Sequence, residues 1–335
     1  MPRNGSTDLW RNKDNFFADH HMKPAVSLAI TPAENWLQSE RTDIDSELSH
    51  PVSITRPPCQ SIPLIFCSPH SGRVYTRAFL AASRLDALTL RRSEDAFVDD
   101  LFATAATHGA PLLAANFPRA YLDVNREHNE LDPRLIEGDL PQGANTQSAR
   151  VAGGLGTIPR LVADGEDIYP GRLPVDVALL RIDRLYHPFH AALAGLIADA
   201  YRQFGVAVLV DCHSMPSATS GPAPSNRPQF VIGDRFGTSC APELTRTVTR
   251  MLTKAGCDVQ INKPYAGGFI TEHYGRPHKR VHAIQIEINR ALYLDENTLQ
   301  RSANFSVCAD IVDGLIRTIA ATAEAWRGPY RVAAE

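Results

Sequence analysis

The sequence predicts an α/β protein of three layers, with helices on both faces of a mixed, mostly parallel central sheet. Short apolar runs alternate with segments that carry apolar residues at helical spacing from about residue 62 onwards. Val206–Val210 contains only apolar residues, a pattern typical of a central strand that is covered on both faces. Polar clusters directly follow several of these runs, at the edge where open α/β sheets bind their ligands.

Composition limits the classes of partner. The chain has 335 residues and a net charge of −3, from 34 basic and 37 acidic residues. This balance creates no strong field toward nucleic acid or an anionic membrane surface, and we expect neither partner. Met1–Lys23 is polar and no run reaches the ~18–20 apolar residues of a membrane span, so we expect a cytoplasmic protein. The six cysteines form no CxxC pair and are expected to be reduced thiols.

The chain divides into a peripheral part and a main domain. Residues 1–57 are predicted to be a flexible or peripheral N-terminal extension, because Thr42–Ser49 is polar and Pro51–Pro58 is rich in proline. Within it, only Ala25–Ile30 is apolar enough to suggest packing on the body. Residues 58–330 are predicted to form the main domain.

The elements of the main domain follow from periodicity and from glycine and proline positions. We predict strands at Pro63–Cys67, Pro111–Ala115, Ala120–Val124, Val206–Val210, Phe230–Gly233, Val259–Asn262 and Val281–Ile288. Helices are predicted at Glu94–His108, Pro174–Phe204 with a break near Pro188, Pro242–Ala255 and Thr298–Arg327. Residues 127–172 are long and irregular, which suggests a lid or a binding loop.

Two histidines follow predicted strands. His70 lies just beyond Pro63–Cys67, and His213 follows the most apolar strand in the chain. Two imidazoles at one rim can bind one metal ion, and a carboxylate would complete a catalytic zinc site with an open position. Glu94 and Asp95 are the nearest carboxylates, but acidic residues at a helix start also serve as caps. The residues alone leave both roles open.

Other polar residues suggest a base and a carboxylate-binding group. Glu287 lies between two isoleucines; it either acts as a general base beside a metal or faces solvent with Gln285 from an alternating strand. Arg119 and Arg126 bracket a predicted strand, and guanidinium groups bind carboxylates bidentately. Surface ion pairs are the alternative for each arginine.

A set of segments in one order resembles the N-formylglutamate amidohydrolase family, also called N-formylglutamate deformylases. The resemblance extends from about Pro63 to Leu299. The matching segments are Ser68–Gly72, Glu94–Phe102, Arg119–Glu127, Asp211–Ser214, Tyr265–Gly268 and Val281–Ile288. This family is similar in fold to zinc carboxypeptidases and aspartoacylase, which implies a phosphorylase/hydrolase-like, zinc-exopeptidase-like domain.

The resemblance also implies roles for individual residues. It implies one Zn²⁺ per chain, bound by His70, Asp95 and His213, with Glu287 as the general base. Asp123–Arg126 resembles the family's carboxylate-binding motif, so Asn125 and Arg126 are expected to bind the substrate carboxylate, with Arg119 or Arg290 as a second clamp. One feature departs from carboxypeptidases, because Arg73 stands where their His-x-x-Glu motif has its second ligand.

The implied function is zinc-dependent hydrolysis of the formamide bond of N-formyl-L-glutamate, or of a similar N-acyl acidic amino acid. This activity would place the enzyme in histidine breakdown. A zinc carboxypeptidase or amidase for larger acyl-amino acids, peptides or cell-wall fragments is the alternative enzyme. A binding protein that kept the fold without catalysis is the non-enzymatic alternative. The expected partner is a small N-acyl amino acid, and the sequence leaves the oligomeric state open.

Overall fold

The computed structural model describes residues 32–162, 165–217 and 228–327. The segment Ala25–Ile30 lies outside the described residues. Within them the strands are β1 Val52–Thr55, β2 Leu64–Ser68, β3 Leu112–Ala115, β4 Ile136–Glu137, β5 Leu173–Pro174, β6 Ala207–Met215, β7 Phe230–Gly233, β8 Val259–Ile261, β9 Val281–Asn289, β10 Leu294–Asp295 and β11 Gln300–Arg301.

Seven of these strands form the central sheet, in the order β1-β3-β2-β6-β9-β7-β8. The four central strands β3, β2, β6 and β9 run parallel to one another. The outer pairs β1–β3 and β7–β9 are antiparallel, and β8 is parallel to β7. β6 and β9 are neighbours and have nine residues each, so they form the longest ladder at the centre of the sheet.

The helices of the described residues are α1 Pro32–Glu47, α2 Arg77–Ala82, α3 Ala87–Arg91, α4 Val98–Leu101, α5 Ala149–Ala152, α6 Val175–Arg181, α7 His187–Phe204, α8 Pro242–Lys254, α9 Phe269–Tyr274 and α10 Phe305–Glu324. Short 3₁₀ turns occupy Ala103–Ala106, Pro277–Lys279 and Arg290–Leu292. None of the helices in these ranges is both long and apolar enough to cross a bilayer.

The sheet separates two hydrophobic cores, because successive strand residues point to opposite faces. Ile65 and Leu209 pack in a core with α1, α6 and α7. Leu64 and Val208, one residue earlier in each strand, pack in a second core with α8 and α10. The predicted three-layer α/β/α architecture with a mixed, mostly parallel sheet is therefore confirmed.

Two predicted elements are wrong over part of their length. The helix predicted at Glu94–His108 is only α4 and a 3₁₀ turn, because Phe97 takes a left-handed backbone conformation with φ of 61°. The helix predicted from Thr298 begins at Phe305, because residues 300–301 pair as β11 instead. In both cases tertiary contacts override a pattern that is helical by spacing.

Ala120–Val124 does not form the predicted strand. The segment turns, with the amides of Tyr121 and Leu122 donating to the Pro118 carbonyl and the amide of Asp123 donating to Thr157. A short run of apolar residues therefore indicates that a segment is buried, but it does not show that the segment forms a strand.

The helix predicted at Pro174–Phe204 is continuous except for a π turn at Ile182–Tyr186. Pro188 lies just beyond this turn, at the start of α7. Proline has no amide hydrogen and its ring crowds the preceding turn, and a wider π turn relieves both conflicts without breaking the helix. The expected break near Pro188 is therefore a local widening.

Residues 32–57 differ from the loose extension that the sequence suggests. Strand β1 pairs with β3 at the sheet edge, and α1 buries Ile44 on the body. Glu40 of α1 forms a fully buried ion pair with Arg181 of α6. The Arg181 guanidinium also donates to the Tyr169 hydroxyl at 2.6 Å and stacks on the Tyr121 ring. The sequence of α1 does not reveal this contact, because α1 is polar and the partner of its buried Glu40 carboxylate lies more than a hundred residues away.

We expect Glu40→Gln to lower the free energy of unfolding by about 3–5 kcal/mol, because it leaves the buried Arg181 charge without a counter-ion. Urea unfolding followed by circular dichroism measures this change. The double variant Glu40→Gln/Arg181→Met should lose less than the sum of the two single variants. Asp45→Asn is the matched control on α1; its partner Arg184 is exposed, so a change of at most about 1 kcal/mol is expected. A loss for Glu40→Gln as small as that of the control would contradict the assigned role.

Candidate active site

The site lies at the carboxyl ends of β2, β6 and β9. His70 follows β2 by two residues, and His213 and Glu287 lie near the ends of β6 and β9. His213 is directly paired with Glu287 in the β6–β9 register. Asp95 lies in the turn before α4, where its amide donates to the His70 carbonyl at 3.0 Å. This backbone bond holds the carboxylate beside the end of β2.

Three buried side chains converge on one point. The Oδ2 atom of Asp95 is 3.0 Å from Nδ1 of His213 and 3.3 Å from Nδ1 of His70. One ligand atom from each residue lies within 4.8 Å of the others. Zinc–ligand bonds of about 2.0–2.1 Å in a tetrahedral site place ligand atoms roughly 3.3 Å apart. The two distances from Asp95 are therefore compatible with one metal ion bound between these side chains.

The outer nitrogen of each histidine contacts a buried carboxylate. Nε2 of His70 is 2.8 Å from Asp123, and Nε2 of His213 is 2.9 Å from Asp211. Such contacts fix the ring orientation and leave Nδ1 free to bind a metal. Sequence reasoning missed these two aspartates. The i, i+2 spacing of Asp211 and His213 on one strand was the available signal, since it places both side chains on one face.

The chemistry of the group fits a bound cation. Nδ1 of His70 is buried without a hydrogen-bond partner among the described residues, which is costly unless another ligand binds there. Burial alone would raise the pKa of Asp95, but its close contacts with His213 and His70 hold that pKa well below its usual value. The buried carboxylates thus stabilise positive charge at the point where the ligand atoms meet.

The structure separates Asp95 from Glu94. The Glu94 carboxylate accepts from the Tyr75 hydroxyl at 2.6 Å and pairs with Arg91 at 3.1 Å. It therefore points away from the two histidines. Asp95 does not cap a helix either, because α4 begins three residues later at Val98 and its N-cap residue, Phe97, makes no side-chain cap. Its second oxygen instead accepts from Ser214 at 3.1 Å.

Glu287 is buried beside the histidine–aspartate group and does not face solvent. Nε2 of Gln285 donates to Oε1 of Glu287 at 2.9 Å, and Oε1 of Gln285 accepts from the Gly268 amide at 2.8 Å. Burial raises the pKa of the Glu287 carboxyl to about 7. Because β9 is covered on both faces, both polar side chains of its alternating pattern lie inside the protein.

The predicted carboxylate-binding residues lie close by but already make internal contacts. Arg119 donates twice to Asp123, at 3.0 and 3.1 Å, and Arg126 donates to the backbone carbonyls of Leu155 and Asn125. Arg290 donates to the carboxylate of Asp95 at 3.3 Å. These bonds fix each guanidinium in place at the edge of the site.

Asn125 forms part of the wall of the site, beside His213. Its side-chain oxygen accepts from the Ile270 amide at 2.8 Å, and its amide nitrogen is 3.2 Å from Nε2 of His213. Gly268 packs against this side chain so closely that an added Cβ would lie 2.4 Å from it. Glycine is therefore required at position 268 to bring the two segments together.

The histidine–aspartate group and Glu287 open into one cavity of about 620 Å³. The eight site residues that the sequence predicts all line it: His70, Asp95, Arg119, Asn125, Arg126, His213, Glu287 and Arg290. The irregular segment 127–172 contributes several further lining residues, among them Arg150 and Leu155. Tyr265 also lines the cavity. The volume lies within the range of small-molecule sites.

Residues 62–294 match the family model described as N-formylglutamate amidohydrolase. The chain belongs to the N-formylglutamate amidohydrolase family. This match confirms the family that the motifs indicate, and it places the chain among hydrolases of amide C–N bonds.

Curated relatives and solved structures agree with this family. The N-formylglutamate deformylase of Pseudomonas aeruginosa is 29% identical over 271 residues, covering 79% of this chain and 94% of the relative. The N-formylglutamate deformylase of Pseudomonas putida is 29% identical over 238 residues, covering 70% of this chain and 83% of the relative. The crystal structure of N-formylglutamate amidohydrolase from Ralstonia eutropha JMP134 superposes with a TM-score of 0.75 at 35% identity, covering 82% of this chain and 98% of that one. The Agrobacterium tumefaciens gene product Atu2144 shares the fold, with a TM-score of 0.61 at 17% identity over 84% of this chain and 99% of its own.

We expect Asp95→Asn to abolish stoichiometric metal binding, because it removes the anionic ligand between the two histidines. Glu94→Gln is the matched control and should retain the metal, since Glu94 faces Tyr75 and Arg91. Asp211→Asn should weaken metal affinity by about 10–100-fold, because it loosens the His213 ring. Metal content by plasma mass spectrometry and affinity by chelator competition provide the measurements. Metal loss in Glu94→Gln with retention in Asp95→Asn would reverse the assignment.

Proposed function

We propose that the chain is a zinc-dependent deformylase that hydrolyses N-formyl-L-glutamate to formate and L-glutamate. The observation that carries this proposal is the buried group of His70, Asp95 and His213, next to Glu287, in a cavity lined by arginines. The substrate is inferred from the two Pseudomonas relatives, which are N-formylglutamate deformylases. One zinc ion per chain is proposed, because imidazole and carboxylate ligands suit this metal.

His70, Asp95 and His213 would hold the zinc, and His70 Nδ1 would gain the partner that it lacks within the described residues. When bound, zinc supplies Lewis-acid polarisation of the formamide carbonyl and lowers the pKa of a water molecule towards ~7. Asp123 and Asp211 orient the two imidazoles through their outer nitrogens.

Glu287 is the proposed general base. Its carboxylate accepts a proton from the water that attacks the formyl carbon, and it then transfers this proton to the leaving amine nitrogen. The formyl C–N bond breaks, and formate and the free amino acid leave the site. Gln285 fixes the position of the carboxylate through the hydrogen bond to Oε1.

Recognition of the substrate rests on its carboxylates. Arg126 is held in place by hydrogen bonds to two backbone carbonyls, and it binds one of these carboxylates. Asn125 positions the adjoining backbone. Arg119 and Arg290 add positive charge at the edge of the cavity. A formyl group needs almost no pocket of its own, so specificity lies on the amino-acid side. The cytoplasmic location and the role in histidine breakdown stay predictions from the sequence.

Glu287→Gln should lower kcat on N-formyl-L-glutamate by about 10²–10⁴-fold, because the amide cannot accept the proton. The variant should keep its metal, since Glu287 is not one of the proposed ligands. Steady-state release of formate and the metal content of the same preparation are measured together. An unimpaired kcat would remove Glu287 from the role of base.

Chelation should abolish activity, and added zinc should restore it. A panel of formyl-, acetyl- and succinyl-L-glutamate, assayed with the zinc-loaded enzyme, tests the acyl group. We expect the highest kcat/KM with the formyl substrate. Full activity of metal-free protein would contradict the metal mechanism, and a preference for succinyl-glutamate would favour the amidase for larger acyl groups.

A further inference from the structure

The cavity carries an excess of positive charge. Among the described residues, six arginines and three carboxylates line it: Arg92, Arg119, Arg126, Arg150, Arg235, Arg290, Asp95, Asp123 and Glu287. A bound metal would add further positive charge. Such a cavity favours a ligand with more than one negative charge, and an acidic amino acid with a blocked nitrogen carries two carboxylates.

Most of these arginines have close partners. Arg119 pairs with Asp123 at 3.0 Å, and Arg235 pairs with Glu272 at 2.6 Å. Arg126 and Arg290 donate to backbone carbonyls at 2.9 Å. Their donors are thus partly occupied before any ligand enters.

Arg150 is different. The nearest carboxylate is Glu130, whose Oε2 lies 3.9 Å from Nη1 of Arg150, and the guanidinium makes no hydrogen bond within the described residues. The Glu130 oxygen already accepts from the Glu127 amide at 3.3 Å. Guanidinium donors that have no protein acceptor are available for bidentate bonds to a carboxylate ligand.

The helix that carries Arg150 is firmly placed. Ser148 caps α5 by accepting from the Val151 amide, and the Val151 side chain is buried. Arg134 donates to the carbonyls of Val151 and Ala152 at 2.6 and 2.9 Å. The Arg150 side chain is 34% exposed and opens into the cavity. It is therefore anchored at its base and accessible at its tip.

Arg150 lines the same cavity as Arg126, the proposed first carboxylate-binding residue. Burial, together with the like charges of Arg119 and Arg150, lowers the pKa of Arg126 to about 10 against the opposing effect of Asp123. The two positive charges repel each other, and a dianionic ligand bound between them would relieve the repulsion.

We propose that Arg150 binds the side-chain carboxylate of the acidic amino-acid substrate, while Arg126 binds its α-carboxylate. This inference rests on the proposed function and names a specificity-determining residue for it. The irregular segment 127–172 then supplies the group that distinguishes glutamate from its neutral analogues.

The test compares two substrates of equal shape, N-formyl-L-glutamate and N-formyl-L-glutamine, with the zinc-loaded enzyme. Arg150→Gln should lower kcat/KM for the glutamate substrate by about 10–100-fold, mainly through KM, because a charge-assisted bond is lost. The kcat/KM for the glutamine substrate should change by less than about threefold, since this substrate loses only a neutral hydrogen bond. Arg150→Lys should restore part of the preference. Arg126→Gln should lower kcat/KM for both substrates, because both carry the α-carboxylate.

Arg202→Ala is the control variant. Arg202 is an exposed arginine of α7 that lies outside the cavity, so both substrates should keep their kcat/KM. An equal loss on both substrates in Arg150→Gln, or an unchanged ratio, overturns the proposal.

Binding measurements separate this proposal from the proposed function. Calorimetric titration of the zinc-loaded protein with L-glutamate and L-glutamine needs no turnover. The wild type should bind L-glutamate more tightly, and Arg150→Gln should lose the difference. A wild type that discriminates in binding but releases no formate refutes deformylation and leaves the role of Arg150 supported. Equal binding of the two amino acids by the wild type overturns the role of Arg150.

Discussion

The pairing of β6 with β9 is the constraint on which the site depends. Their parallel register places His213 directly beside Glu287, and Asp211 beside Gln285. Both strands are central and covered on both faces, so these four polar side chains are buried. Burying polar and charged groups is favourable only when each finds a partner. The two strands therefore impose a network in which every polar group must be matched.

The rest of the site supplies those partners. His70 at the end of β2 and Asp95 in the turn before α4 complete the group around the proposed metal position. Asp123 and Asp211 hold the two imidazoles, and Thr271 donates to the outer oxygen of Asp211 at 3.0 Å. These residues come from separate parts of the chain, and the backbone bond between Asp95 and the His70 carbonyl joins two of those parts. The resulting network fixes the positions of the proposed ligands, which is the kind of preorganisation that catalysis requires.

The cavity lining contains charges of both signs. Three buried carboxylates lie beside the two histidines, where they favour a cation, whereas the six arginines of the lining favour an anionic ligand. The segment 127–172 contributes one of these arginines, Arg150. It is irregular, yet Leu131, Ile158 and Ile168 are buried within it, so it forms a packed wall of the cavity. Its apolar residues supply the anchoring that its glycine- and proline-rich composition obscures.

The sequence by itself determined the layered α/β architecture, because five consecutive apolar residues at Val206–Val210 and the alternation of elements allow few other folds. It also predicted a set of residues that meet in one cavity, since His70 and His213 stand at strand ends and the order of motifs matches one family. Residue types and spacing alone could not decide between Asp95, which the family resemblance favours, and Glu94, because both precede a helix and the choice depends on which carboxylate Arg91 and Tyr75 hold. The sequence also left open whether Glu287 faces solvent or the interior, since an alternating pattern does not show whether the polar face of a strand is exposed or buried.

Only the tertiary structure decided contacts that join distant residues. The buried pair Glu40–Arg181 makes α1 part of the body, although the local sequence is polar. The left-handed Phe97 and the turn at Ala120–Val124 replaced a helix and a strand, because contacts at the end of β2 and with Thr157 outweighed local periodicity. The outer partners of the histidines and the weakly paired charge of Arg150 likewise emerge only once the chain is folded. Periodicity reports which face is buried, whereas the partner of each buried charge is set by packing.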